Sequence, residues 1–188
     1  MTVWLQHIPL SEQQENDITR HDTLPLPLGR LPDLGLIDRP AGLRHLLAAL
    51  HPDAPPEKLN RLQERTWRLA KGIEEDDIIA VALRHRQVLA LAEVVTPYAY
   101  RVGDNHEDVH HMHVKWQKKT VPFRRFGRNA SIFHGDGPFL EEVTDQKMRE
   151  TIRAALPYAY NRFAALKWIL GIFILWRLFV FATQQGGF

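Results

Sequence analysis

Two short apolar runs set the strongest limit on what this chain can fold into. Asp77-Ile78-Ile79-Ala80-Val81-Ala82-Leu83 and Val88 to Val95 are separated only by Arg84-His85-Arg86-Gln87. Apolar runs of this length, rich in β-branched residues and joined by a polar turn, predict a buried strand and its hairpin partner. Upstream the period is helical instead. Leu43, Leu46, Leu47 and Leu50 fall on one face of a helix over about 41–50, stopped by His51-Pro52. A second helix over about 57–72 aligns Leu59, Leu62, Thr66, Trp67 and Leu69, with Gly72 at its end.

The remaining segments read as shorter pieces. Val3-Trp4-Leu5 is a strand, and the polar stretch Ser11 to Asp22 suits a surface loop or helical turn. Pro25, Pro27, Gly29, Pro32 and Gly35 forbid a helix over 24–37. Tyr98 to Val102, Met112 to Trp116 and Ile132-Phe133 read as further strands, and Phe139 to Leu156 as a helix. The pattern predicts an α+β fold: a small, curved or closed antiparallel β-barrel with two or three packed helices, plus a C-terminal hydrophobic helix. The expected divisions are a recognition domain over 1–145, a connecting helix over 146–163 and an apolar helix over 164–183.

Composition narrows the chemistry. The chain is 45% apolar and 24% charged, as globular proteins are. It contains no cysteine, which excludes thiolate catalysis, cysteine-ligated zinc and disulfides. The formal charge is only +2, so placement matters more than the total. The charge is concentrated in Val114 to Arg128, which holds Lys115, Lys118, Lys119, Arg124, Arg125 and Arg128 and no acidic residue. Trp116, Phe123 and Phe126 are interleaved with them. Cations neutralise phosphates and aromatic rings stack on bases, so the mixture suits a nucleic-acid surface. The same pattern also arises where the aromatics fill a core, and the same charges would serve an anionic membrane.

Catalytic alternatives are weaker. His106, His110, His111 and His113 crowd one segment with Glu107 and Asp108, but strand alternation divides them between two faces, and no metal site is expected. Gln117-Lys118-Lys119, with Asp104 or Asp108 upstream, satisfies the short motif of a metal-dependent nuclease without the core that motif requires. Ser131, His134 and Asp136 lack a nucleophile elbow. No catalytic residue and no cofactor is expected, and a divergent nuclease remains an alternative.

The order of motifs resembles the N-terminal DNA-recognition domain of Mrr-type modification-dependent restriction endonucleases. The resemblance is carried by Trp4, Leu31-Pro32-Asp33-Leu34, Leu46 to Pro52, Trp67-Arg68-Leu69 with Ile73, Asp76-Asp77-Ile78-Ile79, Ala92-Glu93-Val94 with Tyr98-Ala99-Tyr100, His111 to Trp116, and Val121-Pro122. It runs over roughly the first 130 residues. Such domains are similar to the PUA and EVE group of small barrels that hold a base in a pocket. The resemblance implies recognition of modified bases in DNA by base extrusion, with Trp4, Tyr98, Tyr100 and Trp116 as pocket candidates. Lys115, Lys118, Lys119, Arg124, Arg125 and Arg128 would contact phosphates. Three positions depart from the pattern: Asp77 stands for the glycine of the family's "GD" step, Ala92 for that of "GeV", and His113 for a frequent Arg.

Where those endonucleases carry their nuclease, this sequence has AALKWILGIFILWRLFVFAT, residues 164–183, with only Lys167 and Arg177 charged. That length spans a membrane, and the basic residues before it place the recognition domain on the cytoplasmic face of a bacterial inner membrane. No N-terminal signal peptide is expected. A buried oligomerisation helix, or the first part of a longer hairpin, would read similarly. The expected partners are DNA, a membrane through 164–183, and a separate nuclease or effector chain, as in a phage-defence or restriction system. A membrane-surface or protein-interaction module is the other alternative.

Overall fold

The apolar hairpin lies at the middle of the molecule. In the computed structural model, residues 1–102, 110–135 and 139–156 are described. Strand β3 (Ile78–Leu83) is buried at all six positions, and β4 (Val88–Tyr100) pairs with it from Val88 opposite Leu83 to Glu93 opposite Ile78. The sheet grows outward from this pair. β1 (Val3–Gln6) lies parallel to β3, with Trp4 opposite Ile79. β5 (His110–Trp116) lies antiparallel on the other side of β4, with Trp116 opposite Ala92. β2 (Thr23–Pro25) and β7 (Leu140–Glu142) are the two ends, and β6 (Val121–Pro122) pairs with the start of β4. The architecture is α+β.

This sheet corrects two expectations. It is mixed rather than antiparallel, because β1 runs parallel to β3 across a long connection containing the helices. Among the described residues it is open rather than closed, with β2 and β7 unpaired along their outer sides. Curvature is concentrated in β4. Its register against β5 shifts on both sides of Thr96, next to Pro97, which has no N–H to give the ladder. The two strands expected at 88–95 and 98–102 are therefore one bent strand ending at Tyr100.

Two layers cover the sheet. Helix α1 (Glu12–Asp17) is the helical turn expected in the polar stretch, and Ser11 caps it. Helices α2 (Pro40–Leu50) and α3 (Pro56–Lys71) pack on one face, where Leu43, Leu47 and Leu69 join Trp4, Ile79, Val81, Ala90, Ala92, Met112 and Val114 in the main core. The alternate strand residues Val3, Leu5, Ile78, Ala80, Leu89 and Leu91 are buried too. The buried side chains left to cover them are Phe123, Phe126 and Phe133, with Met148 and Ile152 of α4 (Gln146–Ala155). Ile132-Phe133 is not a strand, because residues 123–134 form 3-10 turns that direct their phenylalanines inward. The helix expected from Phe139 instead begins at Gln146, after β7 has paired with β1.

Met1–Ala155 makes one compact unit. Residues 164–183 lie outside the described residues, as do 157–163 of the expected connecting helix. Among the described residues no helix is long and apolar enough to cross a membrane.

Candidate nucleic-acid interface

The basic segment begins on β5 and continues through β6 into the 3-10 turns of 123–134. Lys115, Lys118, Lys119, Arg124, Arg125 and Arg128 are all exposed, and none forms an ion pair among the described residues. Their geometry follows from the backbone. In a three-residue turn, positions i and i+3 eclipse, so Phe123 and Phe126 share the inward side and the arginines between them face solvent. Phe123 and Phe126 are 3% and 8% exposed and pack on Phe133, with ring centroids 4.7 and 4.9 Å away. Phe123 and Phe126, interleaved with the cations, are therefore core residues, whereas Trp116 is half-buried and the six cations stay in solvent.

The four pocket candidates do not converge. Trp4 and Trp116 lie in one cross-strand row, Trp4–Ile79–Ala92–Trp116, three strand spacings or roughly 14 Å apart. Each indole is tied to protein. The Trp4 side chain is 6% exposed and donates to Asp77 Oδ2 at 2.9 Å, while the half-buried Trp116 donates to the His21 carbonyl at 2.6 Å. Asp77 is itself buried and also accepts from the backbone N–H groups of Thr2 and Glu74. The residue that adopts a left-handed backbone at the "GD" step is Asp76, at φ 68°. Asp77 is thus an anchor for β1 and not a substitute for glycine. What little of Trp4 reaches the surface borders a groove of about 650 Å³ with Pro40, Arg44, Asn60, Trp67 and Gly72. Trp67 packs against the core, as the helical spacing predicts, and also edges this groove.

Tyr98 and Tyr100 do come together, around a residue not put forward as a site. His110 is 1% exposed, and its ring centroid lies 5.9 Å from that of Tyr98 and 5.2 Å from that of Tyr100. The place is roughly 20 Å from Trp116, by the six residue steps along β5 from His110 to Trp116. The His110 Nε2 lies 2.9 Å from the Leu31 carbonyl and must carry a proton to bond it. The Tyr98 hydroxyl lies 2.9 Å from His110 Nδ1 and 3.3 Å from Asp33 Oδ1, and it accepts from the Leu34 N–H at 2.9 Å. With His110 neutral, Nδ1 and Asp33 Oδ1 are the two acceptors within reach of the single hydroxyl proton. Burial lowers the His110 pKa, against the Leu31 hydrogen bond and the Asp33 charge, which raise it. Burial also pushes Tyr98 up to about 12, opposed by the Leu34 N–H and reinforced by Asp33.

Asp33 and His110 were legible only in part. An aspartate two residues before a glycine signals a turn, and Asp33 does accept from the Gly35 N–H at 2.8 Å. Nothing local indicates that Tyr98, sixty-five positions later, completes the arrangement. The other motifs stay apart: Gln117 and Lys119 follow β5, Asp104, Asp108 and Asp136 lie outside the described residues, and His111 stacks edgewise on His113 at 5.0 Å. Among the described residues, no three His, Asp or Glu side chains gather as metal ligands. In comparison with known proteins, no family model and no curated protein sequence matches the chain.

Proposed function

We propose that this chain is a nucleic-acid recognition protein whose basic segment holds the phosphate backbone. The observation that carries the reading is the set of six exposed cations that form no ion pair among the described residues, on a segment with no acidic residue. Exposed charge of one sign gathered on one segment is the electrostatic requirement for backbone binding. The finer reading is a PUA/EVE-like module for modified bases in DNA, its sheet left open between β2 and β7. It is supported by the family resemblance and by the meeting of Tyr98 and Tyr100, which leaves Trp4 and Trp116 as supports. The apolar stretch 164–183 would tether the module to a membrane, with a nuclease or effector supplied by another chain.

The test is fluorescence anisotropy of the full chain with duplexes bearing methylated, hydroxymethylated and glucosylated cytosine, beside plain DNA and RNA, over a range of salt. Each neutralised phosphate contributes about −0.9 to the slope of log K against log salt, so six contacts give a slope near −5. Substituting Lys118, Lys119 and Arg125 together by Ala should lower its magnitude by about 3 and leave preference among bases unchanged. Absence of salt-dependent binding refutes the reading. The same cations favour a second one, an anionic membrane surface, which salt-sensitive binding to anionic vesicles without nucleic-acid affinity would establish.

A further inference from the structure

The 3-10 turn Leu34–Leu36 holds one apolar side chain out in solvent on a rigid base. Leu36 is 81% exposed, whereas Leu34, two residues earlier, is 2% exposed and plugged into the core. The backbone between them is fixed on every side. The Leu34 N–H donates to the Tyr98 hydroxyl and the Gly35 N–H to Asp33 Oδ1, while the Gly35 carbonyl accepts from Lys71 Nζ at 3.2 Å. A Cβ at Gly35 would lie 2.9 Å from Asp33 Oδ1 and 3.6 Å from Tyr98 Cε1, so the turn is seated directly against the tyrosine ring. His110 holds Tyr98 from the other side.

We propose that Leu36 is a wedge that enters the base stack of a duplex, an inference that rests on the nucleic-acid reading. Proteins that kink or open a duplex insert an apolar side chain between base steps. A wedge must not yield when the stack resists, and the Tyr98–His110 support under the turn supplies that stiffness. Lys71, beside the tip, provides a cation for the flanking phosphates. A protein-docking surface would need a contiguous apolar patch. Leu36 is instead flanked in sequence by the half-buried Ile37 and by the charged Asp33, Asp38 and Arg39.

The experiment is binding of the full chain to duplexes carrying 2-aminopurine, whose fluorescence rises on unstacking. The wild-type chain should bind and raise the signal. Leu36→Ala should lose most of that rise and bind a fully paired duplex about fivefold more weakly. On a duplex mismatched at the probe the loss should shrink to less than about twofold, because that base is already loosened. Leu36→Phe should retain the signal. Tyr98→Phe, which leaves the leucine but loosens its support, should give an intermediate signal. Since Leu36 is on the surface, its substitution should leave the melting temperature unchanged. Salt-dependent binding with a signal indifferent to Leu36 overturns the wedge alone. So does a change in self-association on sedimentation without a change in signal. No binding by the wild-type chain overturns the nucleic-acid reading and the wedge with it.

Discussion

Replacing Tyr98 by Phe removes one oxygen and nothing else, and the structure indicates what that oxygen is worth. It accepts from the Leu34 N–H at 2.9 Å and bonds His110 Nδ1 at 2.9 Å. Both groups belong to buried residues, Leu34 at 2% and His110 at 1% exposure. Without the hydroxyl, each is left in the interior lacking a partner, at about 1–3 kcal/mol apiece. Asp33 loses its 3.3 Å contact, but it is partly exposed and keeps the Gly35 N–H. Because Tyr98 is only partly buried, water can recover some of the loss. The expected destabilisation is therefore about 2 kcal/mol, near the low end of the sum. In a unit of this size that lowers the melting temperature by about 4–8 °C.

Urea unfolding of the full chain, followed by tryptophan fluorescence, measures it. The midpoint should fall with the slope unchanged, since the folded surface is not altered. Tyr100→Phe is the control: it removes a hydroxyl that makes no hydrogen bond among the described residues, on the same strand and against the same His110 ring. Its effect should stay within about 0.5 kcal/mol. If the two substitutions cost the same, Tyr98 is a packing residue and the network around His110 is not a unit.

Two further predictions follow from buried partners. Burial lowers the His110 pKa below its unfolded value near 6.5, so the unfolded chain binds the proton more readily. The stability contributed by neutral His110 is complete above about pH 6.5 and is lost as the pH falls toward the folded value, with a slope of at most about 1.4 kcal/mol per pH unit. His110→Gln should flatten this part of the profile in urea titrations from pH 7 to 5, and parallel profiles would exclude His110 as the titrating group. Trp4→Phe removes a donor from the buried Asp77 carboxylate and should cost about 1.5–3 kcal/mol. Nucleic-acid affinity should stay within about twofold, and a binding defect at unchanged stability would restore Trp4 as a base-reading residue.

What was legible in the sequence is what local periodicity controls. α2 and α3 begin and end within a residue or two of the leucine pattern and its flanking Pro and Gly, and the β3–β4 hairpin lies where two apolar runs meet a polar turn. The failures share a different cause. β1 runs parallel to β3 because the chain between them returns through α2 and α3, and no window of sequence contains both strands. Phe139-Leu140-Glu141-Glu142 has good helix formers in three of its four positions, yet it pairs with β1 because a strand edge was available. Tertiary context overrode propensity at both places.

The candidate site divides in the same way. Residue types within Val114 to Arg128 were legible, but two arrangements share that composition: rings and cations on one surface, or rings beneath and cations above. The period decides between them. Phe123 and Phe126 are three apart and bury together, whereas Arg124 and Arg125 occupy the other positions of that turn and stay in solvent, as does Arg128 beyond the kink at Gly127. That geometry leaves the segment with electrostatics and removes its stacking platform. Backbone contacts position a duplex without reading its sequence, so under the function proposed above discrimination among bases would come from elsewhere on the domain. The bend at Pro97 sends the last part of β4 on to a second cluster, roughly 20 Å along β5, where Tyr98 and Tyr100 flank His110. A separation of that size is about six base-pair steps of a duplex, each 3.4 Å per strand. Affinity and discrimination should therefore respond to different substitutions, with charge changes at Lys118, Lys119 and Arg125 altering the first and changes at Tyr98 and Tyr100 the second.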